Sequence, residues 1–218
     1  MLISSYADIG KDGRDFPLIL ENRNIDMALT NAPQTLIHRV LPRETATRYA
    51  MYAFLVGLGS VLIAIAGQVK VPMWPVPTTL QTLAIFTIAA AFGRKLAVAT
   101  LLAYLAEGAA GLPVFTNGGG LAYFAGPTTG YLAGFVVAAG ITGWAADNGL
   151  TNKPLKLFAA NLAGTLATLA LGAAWIAVMF GTDKAIAWGI GPFIVTDIIK
   201  AALAAALVPA LWSLFGRK

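Results

Sequence analysis

Six long, mostly apolar segments dominate the sequence from residue 49 onward. They cover residues 49–66, 79–92, 96–110, 128–146, 157–180 and 193–215. Such segments are typical of helices that cross a bilayer, where the helix pairs its own backbone polar groups. The chain is 58% hydrophobic and only 11% charged, which lies outside the usual range of soluble domains. The sequence therefore predicts an all-α integral membrane protein with six transmembrane helices.

Lysine and arginine residues are distributed unevenly between the two sides of this predicted bundle. Six precede the first helix, and two each lie between helices 2 and 3, between helices 4 and 5, and after helix 6. The opposite side carries only Lys70 and Lys184. Because basic residues accumulate in cytoplasmic loops, both termini are expected to be cytoplasmic in a multi-pass protein of the cell (inner) membrane. The net charge of +5 reflects this asymmetry and does not indicate a nucleic-acid partner.

The connections on the outer side differ from those on the inner side. Residues 68–78, 111–127 and 181–192 are apolar, rich in glycine and proline, and almost uncharged. Irregular backbone near membrane depth is tolerated where it is buried in protein or lines a cavity. We therefore expect these connections to fold inward and cap an outward-facing pocket.

Two charged residues, Asp197 and Lys200, interrupt the last apolar segment. A charge at the centre of a membrane helix costs about 2.5–3.5 kcal/mol on insertion scales. Three residues apart, the two side chains share one helix face and can pair. At about 1.5 Å per residue they lie roughly 6 and 10 Å below the outer end of the helix. Two interpretations remain open: a self-neutralising pair that stabilises helix packing, or a pair that contacts a ligand.

Residues 1–45 are polar and lack the apolar region of a signal peptide, so we expect a disordered cytoplasmic tail before a membrane domain at residues 46–216. There is no cysteine, and the single histidine, His38, lies in the tail. The glycine-rich stretch at 118–120 lacks the Lys-Ser/Thr ending of a phosphate-binding loop. The sequence thus predicts no catalytic residue, no metal site and no cofactor. An intramembrane enzyme would need a catalytic cluster that is missing here.

Small residues recur at four-residue spacing on the first helix, as the pairs Ala46/Ala50 and Ala53/Gly57. Such spacing allows another helix to approach closely. The partner helix can belong to this chain, which is the simpler explanation in a sequence so rich in alanine, or to another subunit.

Several motifs in series resemble one known family. Residues 76–82, VPTTLQT, resemble its PVPxTLQT element. GLPVF at 111–115, GPT at 126–128 and GYLAGF at 130–135 resemble its GLPVF…GPTxGYLxGF element. With the Asp-x-x-Lys at 197–200, the chain resembles the BioY family over residues 46–215. Members of this family are the biotin-specific substrate-binding (S) components of energy-coupling-factor (ECF) vitamin transporters.

The resemblance implies the six-helix ECF S-component fold and a biotin uptake subunit that is not an enzyme and captures biotin at the outer face. It implies a transmembrane coupling subunit and ABC-type ATPases as partners, so that ATP is hydrolysed outside this chain. The first helix is the docking surface that it implies. The alternative is an S component for another vitamin. The implied substrate-binding residues are Asp197, Lys200, Asn117 and Tyr131, with Gln81 and Thr78 nearby.

Overall fold

The computed structural model describes residue 35 and residues 45–215, with side chains through residue 210. The expectations for the tail at 1–45 fall almost wholly outside these residues. Within them the chain is mostly helical, with one two-stranded antiparallel ribbon and a 3₁₀ turn at Leu121–Ala125. The elements are α1 (Thr45–Gln68), β1 (Lys70–Val71), β2 (Thr78–Thr79), α2 (Gln81–Phe92), α3 (Arg94–Ala109), α4 (Thr129–Asp147), α5 (Pro154–Phe180), α6 (Thr182–Gly189) and α7 (Gly191–Phe215).

A helix lies at each of the six positions that the apolar segments predicted, with ends that differ by up to four residues. The largest shifts are at helix starts: α1 begins at Thr45, and α5 begins at Pro154, where the missing N–H of proline costs the helix nothing. Within the described part of the chain, four stretches are long and apolar enough to cross a membrane: α1, α4, α5 and the stretch formed by α6 with most of α7. The helix α2 is apolar but shorter.

The connections at 68–78, 111–127 and 181–192 all contain regular structure that the sequence did not predict. Residues 181–192 were expected to be irregular, but they contain the helix α6, so this expectation was wrong. Gly181, at φ 94°, separates α6 from α5, and Asp183 lies in the first turn, where a carboxylate interacts favourably with the helix dipole. The connection at 68–78 forms the β1–β2 ribbon, with Lys70 opposite Thr79.

The helix α4 packs against α2, α3 and α5. Its contact with α5 is close because glycines remove side chains where the backbones meet. A Cβ added at Gly134 would lie 2.6 Å from Thr168 Cα, and Gly172 of α5 leaves room for the ring of Tyr131. The helix α7 packs on α5 and α2, and α1 packs on α3 and α2. This arrangement brings one face each of α2, α4 and α7 together.

These three connections contact one another. The ring of Trp74, between β1 and β2, lies 4.9 Å from the Trp188 ring of α6 and 5.6 Å from the Phe180 ring at the end of α5, measured between ring centroids. Lys70 Nζ donates a hydrogen bond to the Thr116 carbonyl, at 2.5 Å, in the connection after α3. The ribbon is thus attached on one side to the glycine-rich connection and on the other to α6.

We expect Gly134→Ala to destabilise the protein, because its new methyl group meets backbone atoms of α5 and the two helices must separate. Overpacking of this kind costs about 1–3 kcal/mol, which a melting curve of the detergent-purified protein detects. Gly140→Ala is the matched control on the same helix, since its Cβ would lie 3.8 Å from its nearest neighbour, Val98. Equal melting temperatures for the two variants would contradict the close packing of α4 on α5.

Candidate functional site

A cavity lies where the β1–β2 ribbon, the connection after α3, and five helices converge. It has an empty volume of about 510 Å³, counting the part that opens to solvent. Its apolar wall includes Val76, Leu132, Phe135 and Phe193. Its polar wall is formed by Thr79, Gln81, Thr82, Tyr104, Thr116, Tyr123, Thr128, Tyr131, Thr168, Asp197 and Lys200.

The charged pair of α7 forms one part of this wall. Lys200 Nζ lies 2.7 Å from Asp197 Oδ1, and the two residues are only 7% and 5% exposed. Thr82 of α2 donates a second hydrogen bond to the same oxygen, at 3.2 Å. Among the described residues, Oδ2 of Asp197 accepts no hydrogen bond, and the ammonium group donates only one. The pair therefore neutralises itself and still keeps one free acceptor and two free donors at the cavity.

Tyr131 of α4 lies in the cavity wall with its ring packed against Phe193, at 5.4 Å between ring centroids. Its hydroxyl donates to the Gly189 carbonyl at 2.6 Å. That carbonyl belongs to the last residue of α6. Tyr131 thus connects α4 to the junction of α6 and α7, close to the start of the helix that carries Asp197.

Gln81, the first residue of α2, lies in the cavity wall at the centre of a second polar cluster. Its Nε2 donates to Tyr104 Oη at 2.8 Å. Its Oε1 accepts from Thr79 Oγ1 at 3.2 Å and from Thr116 Oγ1 at 3.5 Å. This single side chain therefore links α2, α3, the ribbon and the glycine-rich connection.

The remaining two predicted residues, Thr78 and Asn117, do not line the cavity. Thr78 is buried, and its hydroxyl has no hydrogen-bond partner among the described residues, whereas its neighbour Thr79 lies in the wall. Asn117 is exposed, and its Oδ1 accepts from Lys70 Nζ at 3.0 Å. Its neighbour Thr116 lines the cavity instead.

The sequence did not predict several polar lining residues, among them Thr79, Thr82, Tyr104 and Thr116. Thr79 and Thr82 belong to the same motif as Gln81, so the motif already contained the signal. Tyr104 gave none, because a tyrosine within an apolar helix is indistinguishable in sequence from one that packs in the core.

The predicted docking residues lie on the free side of α1. Ala46, Ala50 and Ala53 are exposed, and a Cβ added at Gly57 would have no neighbour within 4 Å. The residues of α1 that the chain buries lie further along the helix, at Gly59, Ser60, Ile63 and Gly67. Packing within the chain therefore does not explain the small residues at these four positions.

The described residues contain no group of histidine, cysteine and acidic side chains that could hold a metal ion. The cavity instead combines hydrogen-bond donors and acceptors with an apolar wall, and a neutralised ion pair belongs to it. Such a surface binds a small molecule that is part polar and part apolar.

The fold and the cavity define a membrane-embedded protein that binds a small molecule. Residues 39–217 match the model of the BioY family. The chain belongs to the BioY family, and the resemblance read from its motifs is confirmed.

Similar proteins come from bacteria and archaea. "Biotin transporter BioY2" of Lactococcus lactis is 35% identical over 68% of this chain and 83% of its own length. "Probable biotin transporter BioY" of Pyrococcus horikoshii is 35% identical over 72% of this chain and 93% of its own. "Biotin transporter BioY" of Thermotoga maritima is also 35% identical, over 69% and 89%.

A solved structure shares the fold. It is the S-component for biotin from an ECF-type ABC transporter, determined at 2.1 Å. The two structures align with a TM-score of 0.69 over 78% of this chain and 95% of that one, at 24% sequence identity. The helical arrangement described above is therefore the S-component fold.

We expect Lys200→Met to lower the melting temperature, because it leaves the buried Asp197 carboxylate without its cation. Breaking a buried ion pair from one side costs about 3–5 kcal/mol, whereas removing both charges is often neutral. The double variant Asp197→Asn/Lys200→Met should therefore melt close to the wild type. If the double variant is as unstable as the single one, the two charges are not coupled as the 2.7 Å distance implies.

Proposed function

We propose that this chain is the biotin-binding uptake subunit of a vitamin transporter and captures biotin at the outer face of the membrane. The observation that carries the proposal is the cavity in which the buried Asp197–Lys200 pair faces polar and apolar side chains, within a chain of the BioY family. The relatives that are named biotin transporters supply the identity of the ligand. In this role the chain performs no chemistry on its ligand.

The chemistry of biotin matches the free groups of the cavity. Its ureido ring has two N–H donors beside a carbonyl acceptor, its fused rings are largely apolar, and its tail ends in a carboxylate. Asp197 Oδ2 accepts from a ureido N–H, and the free ammonium hydrogens of Lys200 meet an oxygen of the ligand. Gln81 supplies a further amide contact, and Tyr131 forms the wall beside the rings. In this proposal Asn117 contacts the ligand from the rim of the cavity, and Thr78 supports the β1–β2 ribbon.

We further propose that the chain crosses the inner membrane six times and that both of its termini lie in the cytoplasm. The support is the excess of lysine and arginine on one side of the bundle, twelve against two. The short helices α2 and α3 complete the crossings, and the Asp197–Lys200 end of α7 then lies toward the outside. Residues 1–45 form a cytoplasmic tail, and residues 46–216 form the membrane domain.

The energy for uptake comes from other subunits in this proposal. The partners are a transmembrane coupling subunit and ABC-type ATPases, which hydrolyse ATP, so that this chain needs no cofactor. The coupling subunit docks on the free face of α1 at Ala46, Ala50, Ala53 and Gly57. This docking surface is supported by the exposure of the three alanines and the open space beside Gly57. Small residues let a helix of another subunit approach closely.

Biotin titration of the purified protein, without coupling subunits, tests the ligand. We expect saturable binding by the wild type and losses of at least about 10-fold for Asp197→Asn and Lys200→Ala, since hydrogen bonds to charged groups contribute about 1.5–3 kcal/mol. Lys184→Ala is the control, because Lys184 is exposed and its ammonium contacts the Trp188 ring outside the cavity.

Riboflavin and thiamine, titrated side by side with biotin, test the alternative of an S component for another vitamin. No saturable biotin binding by the wild type would overturn the proposal, and tight binding of either other vitamin would favour the alternative. If both charge variants keep wild-type affinity, the pair only stabilises helix packing.

Ala50→Trp tests the docking surface, because a bulky ring on the free face of α1 blocks the approach of another helix. We expect unchanged biotin affinity of the purified variant and a large loss of biotin uptake by cells that contain the coupling subunits. Leu62→Trp is the control, since Leu62 is exposed on α1 but lies more than 100° around the helix from Ala50. Equal uptake by the two variants would place the docking surface elsewhere.

A further inference from the structure

Among the described residues, Tyr104 has the largest fully buried side chain, and it belongs to the cavity wall. It lies on α3, and its ring packs edge-on against Phe115, with 5.4 Å between ring centroids. Its hydroxyl makes two hydrogen bonds, one with Gln81 and one with Val114.

The direction of these two hydrogen bonds is fixed by what the partners are. Tyr104 donates to the carbonyl oxygen of Val114, at 3.3 Å, and a carbonyl oxygen can only accept. With its single hydrogen used there, the hydroxyl can only accept from Gln81, at 2.8 Å. The group of Gln81 that faces Tyr104 must therefore be the NH₂ and not the carbonyl oxygen.

The opposite end of the Gln81 amide agrees with this orientation. Its Oε1 accepts from the hydroxyls of Thr79 and Thr116, both of which line the cavity. Reversing the amide would set its oxygen against the acceptor side of the Tyr104 hydroxyl. Three hydrogen bonds thus hold one orientation, and among the described residues one N–H of Gln81 stays unused at a side chain that is 4% exposed.

Gly67 of α1 leaves the space in which this amide lies. A Cβ at that position would come within 2.9 Å of Gln81 Nε2 and 3.1 Å of its Cδ. The amide is therefore confined from α1, α3 and the glycine-rich connection at once.

We propose that Tyr104 is a positioning residue for ligand binding: it orients the Gln81 amide so that the free N–H donates to an oxygen acceptor of the ligand. This inference rests on the proposed function, because the oxygen it assigns belongs to biotin. Tyr104 acts only through Gln81 and makes no hydrogen bond to the ligand.

A double-variant cycle tests the inference by biotin titration of the wild type, Tyr104→Phe, Gln81→Leu and Tyr104→Phe/Gln81→Leu. We expect Tyr104→Phe to weaken binding about 3- to 10-fold, the scale of one hydrogen bond. Gln81→Leu should weaken it at least as much. Adding Tyr104→Phe to Gln81→Leu should change the affinity by less than about twofold, since the residue that Tyr104 orients is then gone.

The cycle separates positioning from a structural role. Tyr104→Phe also releases the Val114 carbonyl, but it does so with either residue at position 81. A loss that persists undiminished beside Gln81→Leu therefore overturns the inference, as does wild-type affinity in Tyr104→Phe. Tyr49→Phe, on an exposed tyrosine of α1, is the matched control and should bind as the wild type does. Absence of biotin binding by the wild type would overturn the proposed function itself.

Gly67→Ala provides an independent test. It tests the inference even if the Tyr104→Phe variant does not fold. Its methyl group displaces the Gln81 amide from the side of α1 and leaves Tyr104 intact. We expect a similar loss of biotin affinity in a variant that still inserts into the membrane. Wild-type affinity in Gly67→Ala would show that the position of the amide does not matter and would overturn the inference.

Discussion

Charged side chains in a hydrocarbon environment must meet partners within the protein, and this requirement orients α7. Asp197 and Lys200 lie three residues apart on one face, where they pair with each other at 2.7 Å. Thr82 adds a hydrogen bond from α2. The face of α7 that carries them must therefore be directed toward α2 and the cavity, while Val195, Ile199 and Leu203 remain exposed on other faces. The orientation of the last helix follows from the cost of exposing either charge to lipid.

Glycines determine how close the other walls come to this pair. Gly134 and Gly172 allow α4 and α5 to pack with their backbones near one another and give the Tyr131 ring its place. Tyr131 then reaches the Gly189 carbonyl, just before α7 begins. The packing of α4 on α5 is thus linked to the position of the charged pair through one side chain, so that substitutions at the α4–α5 contact can alter that position.

The sequence was sufficient for six of the seven α-helices in the described residues and for part of the cavity. Apolar segments located six helices because lipid leaves few alternatives, and a pair of charges inside an apolar helix pointed to the site by its cost alone. The helix α6 was missed because Gly181, Gly189 and Gly191, with Pro192 after them, indicated an irregular connection. The contacts of Gln81 join residues up to 35 positions apart, so no local pattern contains them. Asn117 shows the same limit, since Lys70, which donates a hydrogen bond to its Oδ1, lies 47 positions away in the sequence.

Because Asp197 and Lys200 neutralise each other, the pair also favours a ligand whose contacting end carries no charge. Lys200 satisfies one oxygen of Asp197, and the second oxygen and the remaining ammonium hydrogens stay free for the cavity. A group that carries an N–H beside a carbonyl, as the ureido ring of biotin does, can bind to both partners while their ion pair stays intact. A carboxylate placed there would instead compete with Asp197 for Lys200 and would meet the like charge of Asp197 at close range. The proposed binding mode therefore places the ureido ring, and not the carboxylate tail, against α7.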